Sequence, residues 1–236
     1  MPDLSLILPV LNEENIITQV VADIIKVLES IKVSFEIILV ENESTDNSWE
    51  VINSLSRKDN RIRVTRTKQG YGSAIIAGIK IAYGSFISYM PSDGQIDSKI
   101  LIPLWQETKS GKADVVKIMR KNRESTIRFV RSKVFNILTR FLYPVDVSDI
   151  NGSPRIIKTE KLKQLELTFS DSFIDTEFAV KAHLLGWKFK EIAMTNLARV
   201  GGKSTVGIHT VIEFLKNLWN FRNDRNFNNW QEKYLQ

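Results

Sequence analysis

Short, nearly continuous apolar runs alternate along the chain with segments of helical period, and this alternation constrains the fold more than any other feature. LSLILPV (4–10), FEIILV (35–40), IRVT (62–65) and FISYM (86–90) are rich in Ile and Val and too short for buried helices, so they are expected to form buried strands. Between them, Ile17, Val20, Ile24 and Leu28 mark one apolar stripe, and Trp49, Ile52 and Leu55 a second. Ala74, Ala77, Gly78, Ile81 and Ala82 mark a third. Strand–helix alternation of this length predicts a mostly parallel sheet covered by helices on both faces, in which ligands bind at the carboxyl ends of the strands.

Acidic and turn residues collect at those ends. The first run closes on Asn12, Glu13 and Glu14, the second on Glu41, Asn42, Glu43 and Asp46, and the fourth on Asp93 within PSDGQID. Acids gathered on one edge repel unless a cation or hydrogen-bond donors offset them. Asn12, Ser44 and Asp46 are also good helix caps, and for Glu14 and Asp46 capping is at least as strong a reading as ligand contact. GYGSAIIAGIKIAYG (70–84) opens with small residues that let another backbone approach, yet its spacing is neither a dinucleotide fingerprint nor a Walker loop.

Composition narrows the chemistry. There is no cysteine and there are two histidines, His183 and His209, so a thiolate or His-rich metal site is excluded. The acidic start and the interruption of the best apolar run, 75–90, by Lys80 predict neither a signal peptide nor a membrane span, and a cytoplasmic location. Between Lys117 and Arg140 stand eight basic residues and one acid, whereas the whole chain carries +6. Such a local excess fits a phosphate-bearing partner or a solvated helix face. Nucleic acid is not expected, because acids crowd the strand ends. In the same segment Arg128, Ser132, Asn136 and Arg140 recur every four residues opposite Val130, Val134, Ile137 and Phe141.

LPVLNEENI, LVENESTDNS, KQGYGSAIIAGIKIAYGSFISYMPSDGQID and INGSPR, in that order and spacing, resemble the family 2 glycosyltransferases of the GT-A fold. They are especially similar to polyprenyl-phosphate sugar synthases of the dolichol-phosphate mannose type, and the likeness runs from about residue 4 to about residue 205. The resemblance implies transfer of a sugar from a nucleotide-sugar to a polyprenyl phosphate or a surface glycan, generally with inversion. It implies nucleotide contacts from Pro9, Asn12, Glu14, Glu41, Asn42, Asp46, Gln69 and Gly70. The family's Asp-x-Asp metal motif falls on Pro91 and Asp93, followed by Gln95, so Mg²⁺ or Mn²⁺ is expected on Asp93 and Gln95 with one carboxylate fewer than usual.

For the acceptor side, the resemblance implies phosphate contacts from Arg120, Arg128 and Ser132, and a substrate-binding Arg155. It places Asp175 and Glu177 of FIDTEF near the acceptor, with Asp175 the base if one is needed. RVGGKST (199–205) resembles a loop that closes over phosphates through Arg199, Lys203 and Ser204. Asp93, Asp175, Arg128 and Arg199 are thus the expected catalytic groups. An alcohol acceptor needs a base, whereas a phosphate monoester is already anionic and needs mainly cations. Residues 1–205 are read as the transferase domain and 206–236 as an aromatic and basic helical tail, suited to a membrane surface or to packing on the domain. Pro91 and the altered ENES run also admit a catalytically weakened member that binds nucleotide-sugar in a regulatory or scaffold role.

Overall fold

The computed structural model describes residues 1–120, 139, 140, 142, 143, 145, 147–195 and 216–235. The strand and helix expectations are met in order: β1 (Leu4–Val10), α1 (Ile17–Ser30), β2 (Phe35–Glu41), α2 (Ser48–Lys58), β3 (Ile62–Arg66), α3 (Tyr71–Ile81) and β4 (Phe86–Tyr89). A short 3₁₀ turn at Ser98–Ile100 leads into α4 (Leu101–Lys109), and β5 (Val115–Arg120) follows. Beyond the basic segment come β6 (Arg155–Lys158), α5 (Thr159–Gln164), α6 (Ile174–Leu184), β7 (Phe189–Met194) and α7 (Arg225–Tyr234).

Among the described residues the seven strands form one sheet in the order β3-β2-β1-β4-β6-β5-β7, with β6 alone antiparallel to its neighbours. The chain leaves β1 toward β2 and β3, then returns to place β4 on the other flank of β1. The strand order therefore reverses between β1 and β4, and in open α/β sheets the crevice at such a reversal holds the ligand. Neighbouring strands lie about 4.8 Å apart, so the ends of β2 and β4 stand about 10 Å from each other across β1. Because β6 runs backwards, its first residue, Arg155, reaches the same edge as the last residues of β4 and β5.

Alternation along the strands sends one set of side chains to each face. Leu4, Leu6, Leu8, Ile37, Leu39, Val116 and Ile118 pack under α1 and α4, while Ile7, Ile38, Val40, Ile87, Val115 and Ile157 pack under α3 and α6. Gly78 of α3 lies so close to β1 that a Cβ there would stand 2.4 Å from Ile7 Cγ2, which explains the small residues of that helix.

The described part of the tail joins the second of these cores. Phe221, Phe227 and Trp230 are buried, with the Phe221 and Phe227 ring centroids 4.2 Å apart, and the indole Nε1 of Trp230 donates to Gln164 O at 2.9 Å. Asp224 caps α7 by accepting from Phe227 N, and the Lys181 ammonium lies 5.3 Å from the Trp230 ring. Trp219 is the exception at 74% exposure. Among the described residues no helix is long and apolar enough to cross a membrane. The packing gives a contrast to measure by urea unfolding: Trp230→Ala should lose about 3–5 kcal/mol at unchanged slope. Trp219→Ala should change stability by less than about 0.5 kcal/mol.

Candidate active site

The loops after β1 and β2 are joined by backbone N–H groups donating to side chains. Asn12, held at φ 57°, accepts from Thr45 N at 2.8 Å, and its own N–H donates to Ser44 Oγ. Glu14 accepts from the backbone N and the side-chain amide of Asn47 at 2.9 and 2.8 Å, while Glu14 N donates to Asp46, which also accepts from Ser48 N. Hydrogen-bond donors therefore offset the charges of Glu14 and Asp46. Hydrogen bonds from Ser48 and Glu14 overcome burial and hold the Asp46 carboxyl below its usual range. Glu14 and Asp46, expected at the nucleotide, are thus occupied in tying the two loops together.

Glu41 is equally engaged. It is buried, accepts from Ser44 N, and pairs with Arg66 Nε at 3.1 Å; the Arg66 guanidinium in turn lies 3.7 Å from the Trp49 ring centroid. The polar group left over at this strand end is Asn42. Its amide nitrogen donates to Gly70 O at 3.1 Å, which fixes the orientation, and its buried Oδ1 has no hydrogen-bond partner among the described residues. Gln69 N donates to Glu43, and Gly70, at φ 141°, opens α3. The close approach expected at Gly70 and Gly72 is made by the protein itself: a Cβ on them would meet Ser170 O at 2.4 Å and Phe169 O at 2.1 Å. Ser73 N donates to Ser170 O, so part of the α3 N-terminus is already used.

On the other flank of β1, Ser92 Oγ donates to Pro9 O and ties the end of β4 to β1. Asp93 is half-buried next to this tie, with Oδ1 accepting from Gln95 N at 3.2 Å. Among the described residues no group of three or more acidic, His or Cys side chains is arranged to hold a metal. Asp93 with Gln95 supplies one carboxylate, a donor set that suits Mg²⁺ or Mn²⁺ only when substrate phosphates and water complete the shell.

The third part of the edge is a buried cluster of charges. Arg155 is fully buried; Nη2 pairs with Asp175 Oδ1 at 2.8 Å and donates to the carbonyls of Ile150 and Gly152. Its guanidinium sits 5.0 Å from the Tyr89 ring centroid and 4.8 Å from that of Phe178. Burial pushes the Asp175 carboxyl up, against the pull of Arg155, Lys117 and Arg120. Burial likewise raises the phenols of Tyr71 and Tyr89. Arg120 grips Asp149 through Nε and Nη2 at 2.7 and 2.8 Å. Lys117, also buried, donates to Asp149 O, and burial and the neighbouring Arg155 bring its ammonium down to about 7.

Several acceptor-side expectations change here. Glu177 does not face an acceptor: it is fully buried, accepts from Thr168 N, Thr168 Oγ1 and Phe169 N, and pairs with Lys181 at 2.7 Å. Arg155 meets Asp175 instead of solvent, and Arg120 has its charge balanced by Asp149. Arg128, Ser132, Arg199, Lys203 and Ser204 lie outside the described residues. Lys117, Tyr71, Tyr89, Glu191 and Arg66 were not singled out from the sequence. A lysine at an inward position of VVKIMR, between apolar neighbours, was the one available signal.

Residues 5–166 match the sequence profile of glycosyl transferase family 2. The chain belongs to glycosyl transferase family 2. It is a glycosyltransferase. An uncharacterized glycosyltransferase of Mycobacterium tuberculosis is 29% identical over 206 residues, 86% of this chain and 88% of that protein. Among solved structures, glucosyl-3-phosphoglycerate synthase from Mycobacterium tuberculosis in complex with Mn²⁺ and UDP-glucose superposes with a TM-score of 0.70 at 17% identity. That match covers 94% of this chain and 79% of the other. TarS residues 1–349 of S. aureus gives 0.57 at 21% identity, over 82% of this chain and 59% of that one. At these identities the structures establish the shared GT-A fold.

The Arg155–Asp175 pair yields a direct test. Arg155→Met leaves a buried carboxylate without its partner and should cost about 3–5 kcal/mol. Adding Asp175→Asn should recover part of that loss, so the double-mutant cycle by chemical denaturation is predicted to be non-additive by at least about 1 kcal/mol.

Proposed function

We propose that this glycosyltransferase moves a sugar from a nucleotide-sugar to a hydroxyl of a glycan acceptor, with inversion at the anomeric carbon. The observation that carries the hydroxyl reading is the contrast between Asp175 and Arg120 on one sheet edge. Asp175 is a carboxylate whose proton affinity is raised by burial, as a base requires, whereas the Arg120 guanidinium is already neutralised by Asp149. The acceptor oxygen would attack the anomeric carbon as its proton passes to Asp175, and the nucleoside diphosphate would leave with the bonding electrons.

On the donor side, Asn12, Asn42 and Gly70 would line the β1–β2 end of the crevice and Asp93 with Gln95 the β4 side. Asn42 Oδ1 offers an acceptor for a base or ribose donor, a role that suits it better than Glu41. Asp93 and Gln95 would hold Mg²⁺ or Mn²⁺ on the diphosphate, which supplies positive charge to the leaving oxygen. The structural neighbour that binds Mn²⁺ with UDP-glucose supports this assignment by likeness of fold. The basic run from Lys117 to Arg140 favours a second reading, in which the acceptor is a polyprenyl phosphate at a membrane surface and no base is needed.

A thermal-shift series tests the donor reading. A nucleoside diphosphate present with Mn²⁺ at one hundred times its Kd should stabilise the protein by about 2.7 kcal/mol. Asp93→Asn should lose the metal-dependent part of that gain; an unchanged gain would remove Asp93 from the site. Turnover assays with hydroxyl and lipid-phosphate acceptors then separate the two readings. Asp175→Asn should lower turnover by about 10²–10⁴-fold for the hydroxyl class. Absence of any nucleotide-sugar turnover would favour the regulatory or scaffold role.

A further inference from the structure

Residues paired directly across neighbouring strands project to the same face of a sheet. The register pairs Tyr89 with Arg155, Arg155 with Lys117 and Lys117 with Glu191, so these four side chains form one row across β4, β6, β5 and β7. Two residues back along β4, β5 and β7, and two residues on along the antiparallel β6, the matching row is Ile87, Ile157, Val115 and Phe189. The face that packs against α6 thus changes from an apolar row to a charged one in a single pleat, at the edge where Asp175 lies.

Lys117 is central in that row. Its ammonium donates to Asp149 O and, at 3.4 Å, to Ile150 O, and stands 4.0 Å from Glu191 Oε1. Glu191 accepts from Ser148 N and Asp149 N at 2.9 and 3.1 Å. The 148–150 loop is therefore suspended between a cation and an anion supplied by adjacent strands. Stability gives little reason to keep such a lysine, because desolvating an ammonium costs several kcal/mol and an apolar side chain of similar volume is often tolerated as well. What an apolar residue could not supply is a second positive charge in the row that holds Arg155, the partner of Asp175.

We propose that Lys117 is a positioning residue of the transfer site: it fixes the 148–150 loop and, together with Arg155, keeps Asp175 in its carboxylate form. The charged groups around it are Arg155 on β6, Glu191 on β7, Asp149 in the loop and Asp175 on α6. Arg155, Lys117 and Arg120 all pull the Asp175 carboxyl down against burial, so removing the Lys117 charge lets Asp175 take up a proton at higher pH. The role in catalysis rests on reading Asp175 as the base.

Titration of Asp175 itself tests the inference without relying on activity. In protein labelled at the aspartate carboxyl carbon, the Asp175 signal is assigned by its loss in Asp175→Asn, and its midpoint is followed by NMR. Lys117→Met and Lys117→Gln should each raise that midpoint by about one pH unit, whereas Lys117→Arg, which keeps the charge, should leave it near the wild-type value. The Gln variant keeps a donor for the loop carbonyls, so loss of charge is separated from loss of the anchor. Midpoints that are unchanged in both neutral variants would overturn the proposal. The base reading fails separately, if Asp175→Asn keeps full turnover.

Discussion

The buried ion pair between Arg155 and Asp175 holds together the charged cluster at the edge of the sheet. Arg155 opens the reversed strand β6, whose two neighbours, β4 and β5, bring Tyr89 and Lys117 beside it. Asp175 stands in the first turn of α6, the helix that covers this face. A charge pair with so little solvent access, 6% of the Asp175 side chain and none of Arg155, is tolerable only when its surroundings are polar and fixed. The carbonyls of Ile150 and Gly152, the Tyr89 and Phe178 rings and the Asp149–Arg120 pair supply that setting. Position and chemistry are thus set together, since the packing that orients the carboxylate also sets its affinity for a proton.

A second dependence runs from the described C-terminal residues to the end of β2. Asn217 donates to Asp171 at 2.7 Å, and Trp230 is bonded to Gln164 O. The segment between those points, through Ser170 O, receives the first turn of α3 where Gly70 and Gly72 leave no room for a side chain. The Gly70 carbonyl in turn holds the amide of Asn42. The described residues near the C-terminus therefore brace the end of β2 by a chain of direct contacts.

Much of the fold was legible because strands buried on both faces read as unbroken apolar runs. The four runs read from the sequence agree with β1, β2, β3 and β4 to within one residue at their ends. The crowding of acids at the strand ends was equally visible, but their partners were not. Arg66 meets Glu41 only because β3 is in register with β2, and Asn47 reaches Glu14 only because two loops meet across the sheet. The glycines at 70 and 72 announced a close approach without revealing that residues 169–171 make it. Glu177 looked like a site acid because it follows Asp175 by two, yet on a helix that spacing turns it to a different side, where Lys181 awaits one turn on. The row containing Lys117 depends on pairing between strands far apart in the chain, which periodicity does not reveal.

We propose that the β1–β4 reversal holds the nucleoside diphosphate of a nucleotide-sugar. Anomalous scattering from crystals grown with UDP and Mn²⁺ reads this most directly. A manganese peak is expected beside Asp93 and Gln95, with the diphosphate reaching toward Asn12 and the base end near Asn42. A manganese–UDP complex bound away from that crevice would contradict it.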